Sequence, residues 1–173
     1  MMKYVAFLRG INVGGRVVKM TDLKACFEKM GLANISTLLQ SGNVLFMSDK
    51  EPAALKRDIE TGLTEWFGYA AKVQVLSVEK LEEIIAAYPF GAAGADQHDY
   101  VIFLENGLER SLLEDDYALA DGEQVKAGSG VVYWRVDKGL TLQSSFAKLL
   151  TKAKYKDFNT NRNLKTLRKI TAR

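Results

Sequence analysis

Apolar positions recur along the chain with two different periods, and the alternation of these periods predicts alternating strands and helices. Lys3–Arg9 has the composition of a β-strand, whereas Thr21–Met30 has apolar residues at the i, i+3, i+4 and i+7 positions of a helix. The first half continues with two β-prone segments, Ile35–Gln40 and Asn43–Met47, around the turn Ser41-Gly42. A second helix that starts at Pro52 and a further strand, Val73–Leu76, follow. This β-α-β-β-α-β order is that of a ferredoxin-like domain.

The second half repeats the order of the first. Tyr100–Leu104 matches Tyr4–Leu8 at four of five positions. The same pattern predicts helices at Val78–Ala87, Leu108–Leu119 and Ser144–Leu150. It also predicts a hairpin of two strands, Gln124–Ala127 and Val131–Val136, around the turn Gly128-Ser129-Gly130. We therefore expect an α+β protein of two related subdomains: residues 1–77, ferredoxin-like, and residues 78–173, a similar β-α-β-β-α unit. The alternative is that good β-strand composition recurs by chance.

Composition sets the cellular context that we expect. The single cysteine, Cys26, excludes an intramolecular disulfide and fits a reducing compartment. The N-terminal apolar run is too short for a signal peptide, and no apolar run reaches the length of a membrane span. We expect a soluble, cytoplasmic protein with no membrane association.

Charge is distributed unevenly, although the formal total is only +3. The segment Ser145–Arg173 carries nine cations against Asp157 alone, a net charge of +8 that leaves −5 for the rest of the chain. A basic terminal segment on an acidic body favours attraction to phosphate, nucleic acid or an acidic partner, but it can equally be a solvated helix face.

The connection after the first strand is rich in glycine and positive charge. Gly10, Gly14 and Gly15 permit a close backbone approach, and Arg9 and Arg16 are cations at the same bend. The segment is not a P-loop, because Arg16 and Val17 replace the required lysine and hydroxyl residue, and the G-x-G-x-x-G spacing of dinucleotide sites is absent. It is either an anion site, to which Asn12 would contribute, or a crossover whose arginines pair with internal carboxylates.

The hairpin turn of the first half contains Gln40, Ser41 and Asn43, which can position a ligand or bond to their own backbone. In a ferredoxin-like unit we expect the first and third strands to be parallel, which places this turn at the opposite edge of the sheet from Arg9. We therefore expect two separate motifs.

Several residues with reactive side chains have simpler structural roles. We expect Cys26, Trp66 and Trp134 to pack in the core, and His98 to face solvent from a Gly/Ala-rich connection. Asp115 and Asp116 cannot act as a catalytic pair, because adjacent helical side chains point about 100° apart. The sequence predicts no metal site and no cofactor.

The polar segment Thr160–Asn163 precedes an amphipathic terminal helix and can cap it. Arg162 is unusual there, since positive charge in a first helical turn opposes the helix dipole. Arg162 and Asn163 are therefore candidates for an anion site.

Four segments, in the same order, resemble the landmarks of a bacterial family known only as a domain of unknown function: LRGINVGG at Leu8–Gly15, QSGNVLF at Gln40–Phe46, Pro89-Phe90, and TNRNLKT at Thr160–Thr166. The resemblance implies a cytoplasmic α+β protein of two related subdomains, but no activity, cofactor or catalytic residue. Leu164 departs from the aromatic residue usual in the family at that position, which weakens a stacking role there.

Three functions remain open. The first is a binding module for an anionic ligand, either a phosphorylated small molecule or nucleic acid, with Arg9, Asn12, Gly14, Gly15, Arg16, Arg162 and Asn163 as candidate ligand-binding residues. The second is an enzyme that acts on an anionic small molecule, which would need a base, and only His98 or a carboxylate with a raised pKa could serve. The third is a protein-interaction or oligomerisation domain, and the oligomeric state is open.

Overall fold

The computed structural model describes residues 1–11, 17–38, 42–105 and 107–173. It divides into two compact units, Met1–Glu82 and Glu83–Arg173. Each unit contains one four-stranded sheet whose strand pairs are all antiparallel. The predicted α+β class with two related subdomains is confirmed.

The first unit has the ferredoxin-like order that the sequence predicts. Its elements are β1 (Met2–Arg9), α1 (Met20–Lys29), β2 (Ala33–Leu38), β3 (Asn43–Ser48), α2 (Pro52–Phe67) and β4 (Lys72–Ser77), and helix α3 (Val78–Ala86) follows. The strands lie in the order β2-β3-β1-β4. Gln40 and Ser41, which the sequence places around the hairpin turn, lie outside the described residues.

Helices α1 and α2 pack on the apolar side chains of this sheet. Cys26 is 1% exposed in that core, as predicted, and its thiol lies 3.7 Å from the carbonyl oxygen of Gly62. The prediction for Trp66 is wrong: it is 42% exposed, and the Lys29 ammonium lies 5.5 Å from its ring centroid. Trp66 directly precedes Phe67, the last residue of α2. Apolar composition alone did not place its side chain inside.

The second unit repeats this architecture. Its elements are β5 (Gln97–Leu104), α4 (Leu108–Glu114), β6 (Gln124–Ala127), β7 (Val131–Asp137), α5 (Ser145–Leu149), β8 (Asn159–Asn163) and α6 (Leu164–Thr171). The strand order is β6-β7-β5-β8, which matches the first unit position by position. Trp134 is 1% exposed and contacts the ring of Phe146 in the core, as predicted.

Two elements of the second unit differ from the prediction. Strand β8 is additional, because Thr160 and Arg162 lie in an edge strand paired with β5 rather than at a helix entry. Its side chains are polar throughout, so the sequence contains no alternation of apolar residues from which this strand could be predicted. Helix α4 ends at Glu114 instead of Leu119, because Asp115 has extended backbone angles and its carboxylate accepts a hydrogen bond from the Tyr155 hydroxyl at 2.7 Å.

The expected parallel direction of the first and third strands is wrong. Strand β1 pairs antiparallel with β3, with Phe7 opposite Asn43. The hairpin turn therefore lies at the same end of the sheet as Arg9, and the Leu8 amide donates to the Gly42 carbonyl oxygen at 2.7 Å. The second unit has the same contact, from the Leu104 amide to the Gly130 carbonyl oxygen at 3.2 Å. The two hairpin glycines are structurally equivalent.

These two glycines provide a matched test of backbone crowding. Both have positive φ, 75° at Gly42 and 73° at Gly130, which costs any other residue about 1–2 kcal/mol. A Cβ atom on Gly42 would also lie 3.0 Å from the Leu8 Cβ, whereas one on Gly130 would meet open space. We expect Gly130→Ala to lower the free energy of unfolding by about 1 kcal/mol and Gly42→Ala by about 2–3 kcal/mol. Equal losses in urea denaturation would contradict this packing.

A buried ion pair joins β5 to β7 in the second unit. Arg135 and Asp99 are opposite each other in the register, and the guanidinium contacts both carboxylate oxygens, at 2.7 and 3.1 Å. The side chains are only 5% and 12% exposed. Arg135 also donates to the carbonyl oxygens of Phe90 and Gly91, both at 2.7 Å. One guanidinium thus ties the sheet to the loop that follows α3.

Removing one partner of this pair should be costly, because it leaves a buried charge uncompensated. We expect Asp99→Asn to lower the free energy of unfolding by about 3 kcal/mol at neutral pH. Burial alone would raise the pKa of Asp99, but the hydrogen bonds and charge of Arg135 and the charge of Arg168 lower it overall.

The stabilisation is therefore complete above the ordinary Asp pKa of about 3.9 and is lost as pH falls through the lowered value. The stability difference between the parent protein and Asp99→Asn should narrow below about pH 4, as measured by chemical denaturation across pH. A difference that stays constant down to acid pH would argue against this pair.

Among the helices of the described residues, none is long and apolar enough to span a bilayer.

Candidate functional site

The strand directions of the second unit bring several chain segments to one end of its sheet. Because β5 is antiparallel to both neighbours, the carboxyl ends of β7 and β8 flank the amino end of β5. Gln97 is opposite Asp137, and Tyr100 is opposite Asn163. The chain then enters α6 directly after β8. A cavity of about 590 Å³ lies at this end of the sheet.

Three cations line the cavity: Lys138, just after β7, and Lys165 and Arg168 on α6. Lys165 and Arg168 are three residues apart and therefore share one helix face. Among the described residues, no carboxylate lies within ion-pair distance of any of the three. The cavity thus contains three cations that form no ion pair within the described residues, although the charge of Arg168 acts on Asp99 at longer range.

The start of α6 adds to this positive field. The Asn163 side chain accepts a hydrogen bond from the Lys165 amide at 2.9 Å, so the predicted cap is confirmed for this residue, which also lines the cavity. The first turn contains no acidic residue. Lys165 is the cation in that first turn, where positive charge opposes the helix dipole. The charge of Lys165 and the positive end of the helix dipole therefore add together at the start of α6.

The opposite wall of the cavity is a loop of small residues, Gly91–Ala95. Arg135 holds its first part through the carbonyl oxygens of Phe90 and Gly91. Gln97 holds its second part, because its side-chain oxygen accepts from the Gly94 amide at 3.1 Å. The wall is therefore fixed at two points and presents mainly backbone and methyl groups.

Two further polar residues of β5 line the cavity. Asp99 is the one acid among the described lining residues, and its charge is matched by Arg135. His98 was expected to face solvent from a loop, but it lies in β5 and is partly buried. Its ring centroid is 5.7 Å from that of Tyr100, and none of the described residues hydrogen-bonds to the imidazole. His98 can therefore act as a hydrogen-bond partner for a ligand.

The structure separates the two candidates of the Thr160–Asn163 segment. Asn163 lines the cavity, but Arg162 is not among its lining residues. Arg162 is in β8 rather than in the first helical turn, and its guanidinium donates to the Thr160 hydroxyl at 2.7 Å and to the Asn161 carbonyl oxygen at 3.0 Å. These bonds hold the guanidinium against its own strand.

The other candidate residues belong to the first unit. Arg9 is the last residue of β1, partly buried, and directly opposite Lys72 of β4. Asn12, Gly14, Gly15 and Arg16 lie outside the described residues.

A second groove, of about 480 Å³, lies in the first unit between α1 and α2. It is lined by Cys26, Lys29, Met30, Gly62, Glu65 and Trp66. Burial raises the pKa of the Cys26 thiol, an effect that the Lys29 charge only partly offsets. A buried thiol with a raised pKa is a poor nucleophile, so this groove does not present a reactive centre.

Among the described residues, no group of three or more His, Cys, Asp or Glu side chains is arranged to hold a metal ion. Lys138, Lys165 and Arg168 were not recognised as site residues from the sequence. The only signal was the basic charge of Ser145–Arg173, which contains two of them. Lys138 had none, because the strand register that brings it to the cavity is not visible in the sequence.

Residues 1–133 match the family model described as "Protein of unknown function (DUF1697)". The chain is similar to a solved structure described as the conserved bacterial protein SP0830 from Streptococcus pneumoniae. The identity is 25%, the TM-score is 0.82, and the match covers 99% of this chain and 97% of the other. An unknown protein from Galdieria sulphuraria is 8% identical, with 94% and 96% coverage, and its TM-score of 0.26 carries no structural inference. The comparison with curated proteins gave no match. The chain thus belongs to the DUF1697 family of proteins of unknown function.

Proposed function

We propose that the protein is a binding module for an anionic ligand and that the cavity of the second unit is its binding site. The observation that carries this proposal is the convergence of three cations without carboxylate partners, Lys138, Lys165 and Arg168, on one cavity. An isolated cation on the surface costs little stability, because water solvates it. Three cations around one concave space add their positive electrostatic potentials there. An anion in the cavity would bond to them with charge-assisted hydrogen bonds.

The electrostatics of α6 supports the same proposal. Lys165 lies near the positive end of the helix dipole, where an acidic residue would be favourable by about 0.3–1 kcal/mol. The corresponding helix after β4, α3, has Glu79 in its first turn. The two equivalent helices therefore begin with opposite charge, and only α6 borders the cationic cavity.

The first test replaces both α6 cations in the cavity, as Lys165→Ala with Arg168→Ala. Each charge-assisted hydrogen bond is worth about 1.5–3 kcal/mol, so the double variant should lose at least about 100-fold in affinity for inorganic phosphate or pyrophosphate. The single variant Lys165→Ala should also raise the free energy of unfolding by about 0.3–1 kcal/mol, because a cation leaves the helix start.

Isothermal titration calorimetry at low salt measures the affinity, and urea denaturation measures the stability. Lys169→Ala is the matched control, because Lys169 is exposed on the same helix and does not line the cavity. If the double variant and the Lys169 control bound phosphate equally well, the cavity would not be the site.

The loop of the first unit is proposed as a second contributor to anion binding, through Arg9, Asn12, Gly14, Gly15 and Arg16. One observation supports it: β1 ends at Arg9, at the end of the sheet where the hairpin turn lies. Arg162 keeps a proposed role only as a more distant charge, since its guanidinium bonds within its own strand.

Arg16→Ala separates a ligand role of this loop from a structural one. A ligand at 100 times its Kd stabilises the native state by about 2.7 kcal/mol, or roughly 5–10 °C for a chain of this size. If Arg16 binds the ligand, the variant should lose this shift in a thermal screen of nucleotides, sugar phosphates and oligonucleotides. Its unliganded Tm should stay near that of the parent. A lowered unliganded Tm with an intact shift would instead indicate an internal ion pair.

We also propose a cytoplasmic location, based on the single, buried cysteine. An enzyme acting on an anionic small molecule is the alternative function, with His98 as the one imidazole beside the cationic cavity. Turnover of a bound phosphate compound would favour the enzyme over the binding module. A stable dimer that binds no anion would favour the interaction domain.

A further inference from the structure

We propose that the cavity of the second unit binds a small phosphomonoester rather than a nucleic-acid strand, an inference that rests on the anion-binding function proposed above. The terminal phosphate would lie among Lys138, Lys165 and Arg168, and the organic part would lie along the Gly91–Ala95 wall. Size, charge, arrangement of the cations and the nature of that wall each support this class of ligand.

The size of the cavity fits a small molecule. Its volume of about 590 Å³ falls within the 300–1,000 Å³ typical of small-molecule sites. Proteins that bind single strands use an extended positive groove with aromatic side chains on which successive bases stack. Here the described lining contains three cations but only one aromatic ring, the imidazole of His98.

The charge of the cavity fits a dianion better than a diester. Lys138, Lys165 and Arg168 contribute three positive charges, and Asp99 is already neutralised by Arg135. A phosphomonoester carries about −1.5 to −2 at pH 7, whereas each phosphodiester carries −1. The monoester therefore compensates more of the charge in one small volume.

The arrangement of the cations also favours a terminal phosphate. Lys138 follows β7, and the other two lie on α6, so the charges approach from two separate elements of the fold. Cations that surround one point can contact several oxygens of a single phosphate group. A strand backbone would instead be contacted by cations spaced along its length.

The Gly91–Ala95 wall fits the uncharged part of such a ligand. Its side chains are no larger than methyl groups, and Arg135 and Gln97 fix its position. A neutral group can therefore approach the backbone closely, while His98 offers a hydrogen bond from the neighbouring strand. Enlarging this wall should affect the organic part of the ligand and not the phosphate.

The test compares AMP with 3′,5′-cyclic AMP, two probes that share base and sugar and differ in having a monoester or a diester phosphate. Inorganic phosphate and a 12-nucleotide single-stranded DNA complete the set, and affinities are measured by calorimetry at one fixed low salt concentration. We expect AMP to bind at least tenfold more tightly than cyclic AMP, and inorganic phosphate to compete with AMP.

Three variants locate the bound groups. Lys165→Gln with Arg168→Gln should weaken phosphate and AMP alike by at least tenfold, whereas Lys169→Gln should leave both unchanged. Ala93→Leu should weaken AMP by at least fivefold and leave inorganic phosphate within twofold. All of these positions are exposed, so the fold is not at risk, and circular dichroism verifies it.

The outcomes distinguish this inference from the proposed function. If no probe binds the parent protein, both fail. If cyclic AMP equals AMP, or if the DNA binds more tightly than AMP through Lys165 and Arg168, anion binding stands and the phosphomonoester assignment is overturned. If Ala93→Leu weakens inorganic phosphate as strongly as AMP, the assignment of the organic part to the wall is overturned.

Discussion

The antiparallel pairing of each central strand with both of its neighbours is the constraint on which the rest of this structure depends. In each unit it determines which chain segments meet at which end of the sheet. At one end, the connection after the central strand meets the hairpin turn, and a glycine carbonyl accepts the amide of Leu8 or Leu104. At the other end, the amino end of the central strand meets the carboxyl ends of both neighbours and the start of the following helix. Side chains from separate chain segments therefore meet at these two ends.

The two units differ from each other at opposite ends of this shared frame. In the first unit the connection from β1 to α1 spans residues 10–19 and contains three glycines and the cations Arg16 and Lys19, whereas its counterpart from β5 to α4 spans only residues 105–107. In the second unit the specialised end is the other one, where α6 begins beside a cationic cavity. The helix after β4 instead begins with a hydrogen bond from the Lys80 amide to the Ser77 hydroxyl and an acidic Glu79. The two units share one scaffold, and unusual charge lies at different ends of it.

Periodic apolar residues made most of the fold predictable from sequence, and their absence explains what was missed. Helix α1 buries side chains at helical spacing, and β1 is a short continuous apolar run that is buried on both faces, so local pattern and tertiary packing agree. Strand β8 contains only Asn, Thr and Arg and is stabilised by pairing with β5, so its sequence resembled a helix cap. The candidate binding site was harder to predict from the sequence than the fold. Lys138 and Lys165 are 27 positions apart in the sequence and share a cavity only because β7 and β8 flank β5.

Stability alone does not account for the charges around the cavity. The fold neutralises Asp99 with a buried guanidinium and fixes the neighbouring loop with the same side chain, so this region is organised in detail. Next to it, Lys165 opposes the dipole of α6, and its neighbours Lys138 and Arg168 have no carboxylate partner among the described residues. A sequence selected only for folding would place an acid at the first turn of α6, as α3 does with Glu79. Residues that break a local rule without a structural gain are expected at functional sites. An anion would remove the conflict, because it would give Lys165 a partner and complement the helix dipole at once.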